Sequence, residues 1–475
     1  MMEFDTLFGQ ANKAFKQSRT AKRALELSHG LLNCMGRRTI TGMITANGQQ
    51  FKDWTAAYRL FQGSTMNVNE LFSTIRKELI TNHLTDRQPV YAHMDDTNIR
   101  KRGKKIAGTS WMRDPLGPPF HTNFIWGQRF IQLSMSLPEK PGPSRSRAIP
   151  IDFHHCPSVK KPTKTDDPSV WIEYREKQKK SKLSKVGSDR IAFLRQNLDL
   201  EGAKNRPLII SVDGSYTNET VIKNLPENTT LIGRIRKDCC LYQLPDTSQK
   251  GIGRNRVYGE QIPTPEHIRQ SEDYPWIEVE AWAAGRTHPF NVKVVRDLRW
   301  RKSGDRNLQL IIIRPLGYRL TKKSKMLYRQ PAYLICTDPD LNINELLQAY
   351  LWRWEIEVNI RDEKTLLGSG EAQVRKTGPV EKVPAFITAV YAILLIAAHK
   401  VQTLQTNAEL PRAKWYKRKP FARESTTDLI NKFRSQIWVK NMNINFSHFV
   451  NLQHQMQSRR NSLNPTMSAV FYMRN

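Results

Sequence analysis

The sequence predicts an α/β fold in which helical N- and C-terminal segments flank a strand-bearing centre. Three observations carry that reading. Two apolar runs, "PVYAHMDDTNIRKRGKK" and "RPLIISVDGSYTN", begin as strands and each leads into an aspartate, Asp95 and Asp213. Residues 225–335 alternate short apolar segments with turns. In "YLWRWEIEVNIRDEK", at ~100° per residue, Tyr350, Arg353, Glu357 and Lys364 fall within roughly a 60° arc of one helix face.

Taken in order, residues 1–85 read as a helical, DNA-binding region. Within it "GRRTITGMITANGQQFKDWTAAYRLFQ" has the pattern of a helix-turn-helix, with Gly48 in the turn and Arg37, Arg38 and Lys52 as candidate phosphate contacts. Solvated basic residues on an ordinary helical cap give the same pattern. Residues 86–224 hold the first strand, a second in "FIWGQRFIQLSMSLPE", a Pro/Lys-rich linker from Pro138 to Pro168, a basic helical stretch from Val170 to Asn197, and the strand ending at Asp213. Residues 225–335 offer strands at "TLIGRIRKD", "WIEVEAWAA", "FNVKVVRDL" and "LQLIIIRPLG", with "PAYLICTDP" leading out. Residues 336–405 carry the polar-faced helix and the apolar run Phe386 to Ala398, and residues 406–475 are polar and basic, most densely in "AKWYKRKPFARES".

Composition narrows the partners. The chain has 475 residues, with 75 Lys and Arg against 44 Asp and Glu, a formal net charge of +31. Such a balance favours a polyanion, because each neutralised phosphate releases condensed counterions. Nucleic acid comes first and an anionic membrane surface second. Phe386–Ala398 is too short to span a bilayer and reads as a buried helix, and the N-terminal stretch lacks the pattern of a secretory signal. Five cysteines without C-x-x-C spacing suggest a reducing compartment. His154-His155-Cys156 has no matching second pair and reads as a packed or exposed loop rather than a metal site.

Three carboxylates remain as a set: Asp95 and Asp213 at strand ends, and Glu357 on a helix face. Strand ends and a facing helix are where an α/β sheet gathers ligands from distant parts of a sequence. Oxygen ligands of this kind suit Mg²⁺, and two such ions about 3.5–4 Å apart can drive phosphodiester displacement. A single aspartate at a strand end is often only a turn residue; the full set is harder to dismiss. No P-loop, nucleophile elbow, zinc motif or dinucleotide fingerprint competes.

Tyr350, Arg353, Glu357 and Lys364, with Trp354 after the arginine, complete the Tyr-x2-Arg-x3-Glu-x6-Lys signature, and the chain resembles the DDE insertion-sequence transposases that carry it. The resemblance extends from about Arg37 to Gly370. It implies an RNase H-like catalytic core interrupted by a β-strand insertion, two Mg²⁺ ions replaceable by Mn²⁺, and cut-and-paste transposition. It also implies terminal inverted repeats and target DNA as substrates, a homodimer, a hairpin intermediate, no membrane, and a bacterial cytoplasmic, nucleoid-associated location. The family's Asp-x-Ser/Thr pattern is met by Asp95-Asp96-Thr97 starting from Asp95. Adjacent strand residues point to opposite faces, so Asp96 is the alternative to Asp95 and not its companion.

Arg353 and Lys364 are then expected to hold terminal phosphates and Tyr350 to bond a further phosphate oxygen. Helix-spaced ion pairs with Asp362 or Glu363 are the alternative for the two cations. Tyr333, opening "YLICT", occupies the place where the resemblance implies an aromatic ring stacking on a flipped base, although the family example carries tryptophan. An ordinary strand aromatic packed in the sheet fits it equally. The rival readings of the whole chain are an RNase H-like nuclease or resolvase without strand transfer, and a catalytically silent DNA-binding protein derived from a transposase.

Overall fold

A computed structural model of the chain describes residues 1–49, 53–85, 88–114, 117–118, 120–121, 123–246, 256–321, 324–404 and 423–442. Lys52 and most of the basic stretch in 406–475 lie outside them.

Five helices open the chain: α1 (Met2–Gln10), α2 (Ser18–Asn33), α3 (Ile40–Ala46), α4 (Trp54–Arg59) and α5 (Val68–Asn82). Helix α5 shows why they form. Leu71, Phe72, Ile75, Leu79 and Ile80 recur at helical spacing and are buried, and the Asn67 side chain caps the first turn by accepting from the Asn69 and Glu70 amides. Gly48 follows α3 with φ +67°, a conformation that a side chain disfavours, so the chain turns there as the helix-turn-helix pattern anticipates.

Strands β1 (Val90–Arg100), β2 (Ser110–Arg113), β3 (Phe124–Pro138) and β4 (Ser146–His155) come next. Helices α6 (Pro168–Lys180) and α7 (Leu183–Leu198) lead to β5 (Leu208–Val212), α8 (Glu219–Lys223), β6 (Thr229–Arg234) and β7 (Tyr242–Gln243). After α9 (Pro265–Gln270) come β8 (Ile277–Ala283), β9 (Arg286–Arg299), β10 (Leu308–Ile313), β11 (Gly317–Tyr318), β12 (Leu327–Tyr328) and β13 (Ala332–Cys336). Helices α10 (Ile343–Trp352), α11 (Trp354–Thr365), α12 (Thr377–Leu404) and α13 (Thr426–Met442) follow.

Among the described residues one eleven-stranded sheet runs β2-β3-β1-β5-β6-β13-β10-β9-β7, with β4 added to β3 and β8 to β9. Strands β5 and β10 are buried on both faces, which is why each is apolar apart from Ser211 and Gln309. The β1, β3 and β4 pairings are antiparallel, whereas β1, β5 and β6 run parallel.

Two expectations need correction. The stretch Pro138 to Pro168 is not all linker, because Ser146–His155 forms β4. Its Pro150 disguised it; β4 pairs only with β3, and Pro150 sits at a register shift, where a missing N–H is tolerated. The apolar run Phe386–Ala398 belongs to a longer helix: Thr377–Gln402 has the length and hydropathy of a membrane span, yet 89 % of its most apolar window is buried inside the protein. Phe386 packs edge-on against Phe8 and Phe61, at ring distances of 6.4 and 5.5 Å. Helix α12 thus joins the N-terminal helices and the sheet in one hydrophobic core. Each such large apolar side chain contributes about 1.5–3 kcal/mol when buried.

Candidate active site

Strands β1 and β5 lie side by side in parallel, with His93 opposite Ser211 and Met94 opposite Val212. The next residues in that register are Asp95 and Asp213, so two carboxylates from distant parts of the chain meet where β5 ends. Alternation along β1 then separates the neighbours. Tyr91 and Asp95 face α10 and the start of α11: the Tyr91 hydroxyl donates to Glu345 at 2.8 Å, and Arg353 Nη1 donates to Asp95 at 3.2 Å. Asp96 turns the other way, accepting from the Tyr216 hydroxyl at 3.1 Å and lying 3.6 Å from Arg129 Nε.

Arg353 ties the strand to the helix. Its Nη2 donates to Glu357 at 2.8 Å, so one guanidinium bridges Asp95 and Glu357. The four signature residues do not share one continuous helix, since α10 ends at Trp352 and α11 begins at Trp354. Arg353 keeps helical angles, φ −53° and ψ −31°, but the hydrogen bonds tighten there, Arg353 N to Tyr350 O at 3.2 Å and Ile356 N to Arg353 O at 3.1 Å. Trp352 is buried, donating its indole N–H to Ser144 O at 2.8 Å and meeting Tyr91 edge-on. Tyr350 is half-buried, and burial raises its pKa; Arg353, Arg234 and Asp213 are its charged neighbours. Lys364 is exposed at the end of α11, within electrostatic reach of Asp96, Arg100 and Asp114. Asp362 pairs with Arg361, and neither it nor Glu363 bridges to Arg353.

Burial pushes the Asp95 carboxyl up to about 6 despite Arg353, with Asp96 and Asp213 adding to the rise. Asp96 is also raised, chiefly by burial, against the pull of Arg129 and Tyr216. One cation between the carboxylates does not compensate their desolvation and mutual repulsion. Among the described residues no three His, Cys, Asp or Glu side chains converge closely enough to hold a metal as they stand. Asp95 and Glu357 are joined instead through the Arg353 guanidinium.

The remaining candidates lie elsewhere. Arg37 is exposed before α3, and Arg38 is half-buried, its backbone N–H donating to Glu371 Oε2 at 2.5 Å beyond the end of α11. Tyr333 is only 5 % exposed in β13, opposite Ile312, with its hydroxyl donating to Glu266. Tyr333 also lines a pocket with Arg234, Arg236 and Arg269. Sequence reading missed Tyr216, which holds Asp96. Its signal was position: a tyrosine three residues after a strand-ending aspartate, in the turn that brings it back to the neighbouring strand. It also missed Gln132 and Glu363, which are fully buried behind the carboxylates.

The family described as DDE superfamily endonuclease matches residues 10–304. The chain belongs to that family. The matched region takes in Asp95, Asp96 and Asp213 and ends before Glu357. Membership in the DDE superfamily makes DNA the substrate class and phosphodiester cleavage the reaction class, and such endonucleases generally use divalent metals. The +31 net charge suits that substrate. A comparison with curated proteins gives no match.

Proposed function

We propose that this DDE superfamily endonuclease is a cut-and-paste transposase of the Tyr-x2-Arg-x3-Glu-x6-Lys class, with Asp95, Asp213 and Glu357 as its metal-holding carboxylates. The observation that carries the reading is the adjacency of Asp95 and Asp213 on parallel strands, with Glu357 joined to Asp95 through Arg353. A strand order of β4-β3-β1-β5-β6, with the first three antiparallel and the last three parallel, supports an RNase H-like core. The strands between β6 and β13 then form the insertion.

The donor set fits Mg²⁺ or Mn²⁺ in chemistry: all three ligands are carboxylates, and the raised Asp95 pKa marks a site short of positive charge. Bound there, divalent cations would activate the attacking oxygen and stabilise the leaving one. Asp95, Asp213 and Glu357 would hold the metal, and Arg353, released from its pairs with Asp95 and Glu357, would make a bidentate contact with a terminal phosphate. Lys364, exposed at the far end of α11, holds a phosphate further along the strand, and Tyr350 donates to another. Arg37 and Arg38 add phosphate contacts away from the carboxylates. The transposase works as a homodimer on terminal inverted repeats in the bacterial cytoplasm, and closes a hairpin as the element is released.

Strand joining separates this reading from that of a plain nuclease. Precut ends bearing a 3′-OH, incubated with the full chain, Mg²⁺ and supercoiled plasmid, are expected to become covalently joined to the plasmid. Cleavage of uncut ends with no joined product from precut ones would make the protein a nuclease.

A further inference from the structure

Past Asp95 and Asp96, β1 continues to Arg100, well beyond the end of β5, and its free length is flanked by the β2–β3 hairpin. That hairpin does something unusual for a protein surface. Trp111 is 64 % exposed and Phe124 61 % exposed, and Trp111 lies opposite Trp126 with their rings edge-to-face at 5.5 Å. Arg113 lies opposite Phe124. Alternation puts Trp111, Arg113, Phe124 and Trp126 on one face of the hairpin.

The same alternation along β3 carries that face back to Gln132, which pairs with Asp95. The aromatic face and the Asp95 carboxylate therefore share a side of the sheet. Asp95 and Arg100 are five residues apart, about 17 Å of strand; Thr97, Ile99, Gln128 and Phe130 on that side are buried between them, and the face opens to solvent at the hairpin. Lys364 lies within electrostatic reach of Asp96, Arg100 and Asp114, the residue following β2.

Charge identifies the occupant. Residues 100–126 contain six Lys and Arg and a single acid, Asp114, which pairs with Arg100 at 2.5 Å. Arg102, Lys104, Lys105 and Arg113 are exposed around the rings. Protein interfaces are depleted in lysine at their cores, whereas exposed aromatic rings among Lys and Arg are the composition of a surface that stacks unpaired bases and tracks their phosphates. Trp126 is held for this purpose by its indole N–H, which donates to Gly103 O at 3.1 Å.

We propose that the Trp111–Phe124–Trp126 face of the β2–β3 hairpin is a stacking platform for an unpaired DNA strand leaving the carboxylate site. It rests on the reading of Asp95, Asp213 and Glu357 as that site. The rings take the bases, and Arg113 and the 102–105 loop take the phosphates.

The test uses the full chain in EDTA, so that no cleavage enters it. The probes are a fluorescein-labelled 24-base-pair duplex, blunt or with a six-nucleotide 3′ tail containing 2-aminopurine. The double variant W111A/F124A is expected to bind the tailed duplex about tenfold or more weakly and to lose the 2-aminopurine quenching, with blunt-duplex affinity changed by less than about twofold. The aromatic variant W111F is expected to keep most of both signals. An equal loss on the two probes, or an unchanged tailed affinity, would overturn the proposal. So would unchanged tailed affinity with dissociation of a dimer in sedimentation, which would make the face a contact between copies of the chain. Because no metal is present, a wrong assignment of the carboxylates would show in cleavage assays and leave this binding difference intact.

Discussion

Replacing Glu363 by Gln tests how the signature helix is fastened to the sheet. Glu363 is 1 % exposed on α11, and its Oε2 accepts from Thr388 of α12 at 3.2 Å. Its Oε1 has no donor, nor has Oε1 of the equally buried Gln132, which lies within hydrogen-bonding reach. A proton on Glu363 removes a charge that burial penalises, so the neutral acid is the favoured form. Burial pushes its pKa from 4.5 up to about 8, against the opposing pull of Thr388, Lys364 and Gln132, while Asp362 adds to the rise. The sign follows. The folded state keeps a proton that the unfolded state releases, so the stability is full below about 4.5 and lost as pH rises through 8. A shift of that size corresponds to about 5 kcal/mol across the window, or ~1.4 kcal/mol per pH unit inside it. At roughly 2.1 cal/mol/K per residue the whole chain unfolds with an entropy of about 1 kcal/mol/K, so each pH unit moves Tm by ~1.4 °C. Thermal unfolding of E363Q and the parent chain, followed by fluorescence at pH 5.5 and 7.5, should show the parent losing about 3 °C relative to the variant. Parallel Tm curves over that range would refute the buried neutral acid.

Three further outcomes follow from the placement of single residues. D95N should lose DNA cleavage by roughly a thousandfold or more while D96N keeps most of it, measured as nicking in Mg²⁺, because only Asp95 shares a side of the sheet with Glu357. Neutralising Arg37 and Arg38 together should lower the slope of log K against log salt by about 1–2 in filter binding of DNA ends; an unchanged slope would mark them as solvated surface. Y333A should lower overall stability by about 3–5 kcal/mol in urea titrations, through lost packing in β13; selective loss of hairpin product at normal stability would instead favour the stacking role.

Strand β5 was legible because a strand buried on both faces reads as a mostly apolar run, and the turn at Gly48 because its geometry needs glycine. Asp95 was read as a strand end, but β1 runs on through polar residues to Arg100, where pairing with β3 holds the strand without an apolar sequence to announce it. Strand β4 was hidden by its proline, which an edge position tolerates. The offsets of Tyr350, Arg353, Glu357 and Lys364 drew attention to the right helix region but not to its break at Arg353, a local tightening with no proline or glycine to announce it. Nor did spacing reveal that Arg353 reaches across to Asp95, since that contact depends on how β1 and α11 pack. Glu363 was illegible for another reason: a carboxyl within a charged helix reads as solvated, and only the surrounding burial makes it a neutral core group.

The central claim is that three carboxylates, in the middle of β1, just past β5 and in the first turn of α11, perform DNA cleavage. Its most direct test is cleavage of linear DNA carrying the sequences that flank the gene, by the parent chain and by D213N. Asp213 is the choice because it lies beside Asp95 without sharing the Arg353 bridge, so removing its charge leaves that bridge in place. The account predicts Mg²⁺-dependent cleavage by the parent, a loss of roughly a thousandfold or more in D213N, and end binding by the variant within about threefold of the parent, since phosphate contacts supply most of the affinity. Cleavage by D213N at the parent rate would contradict it.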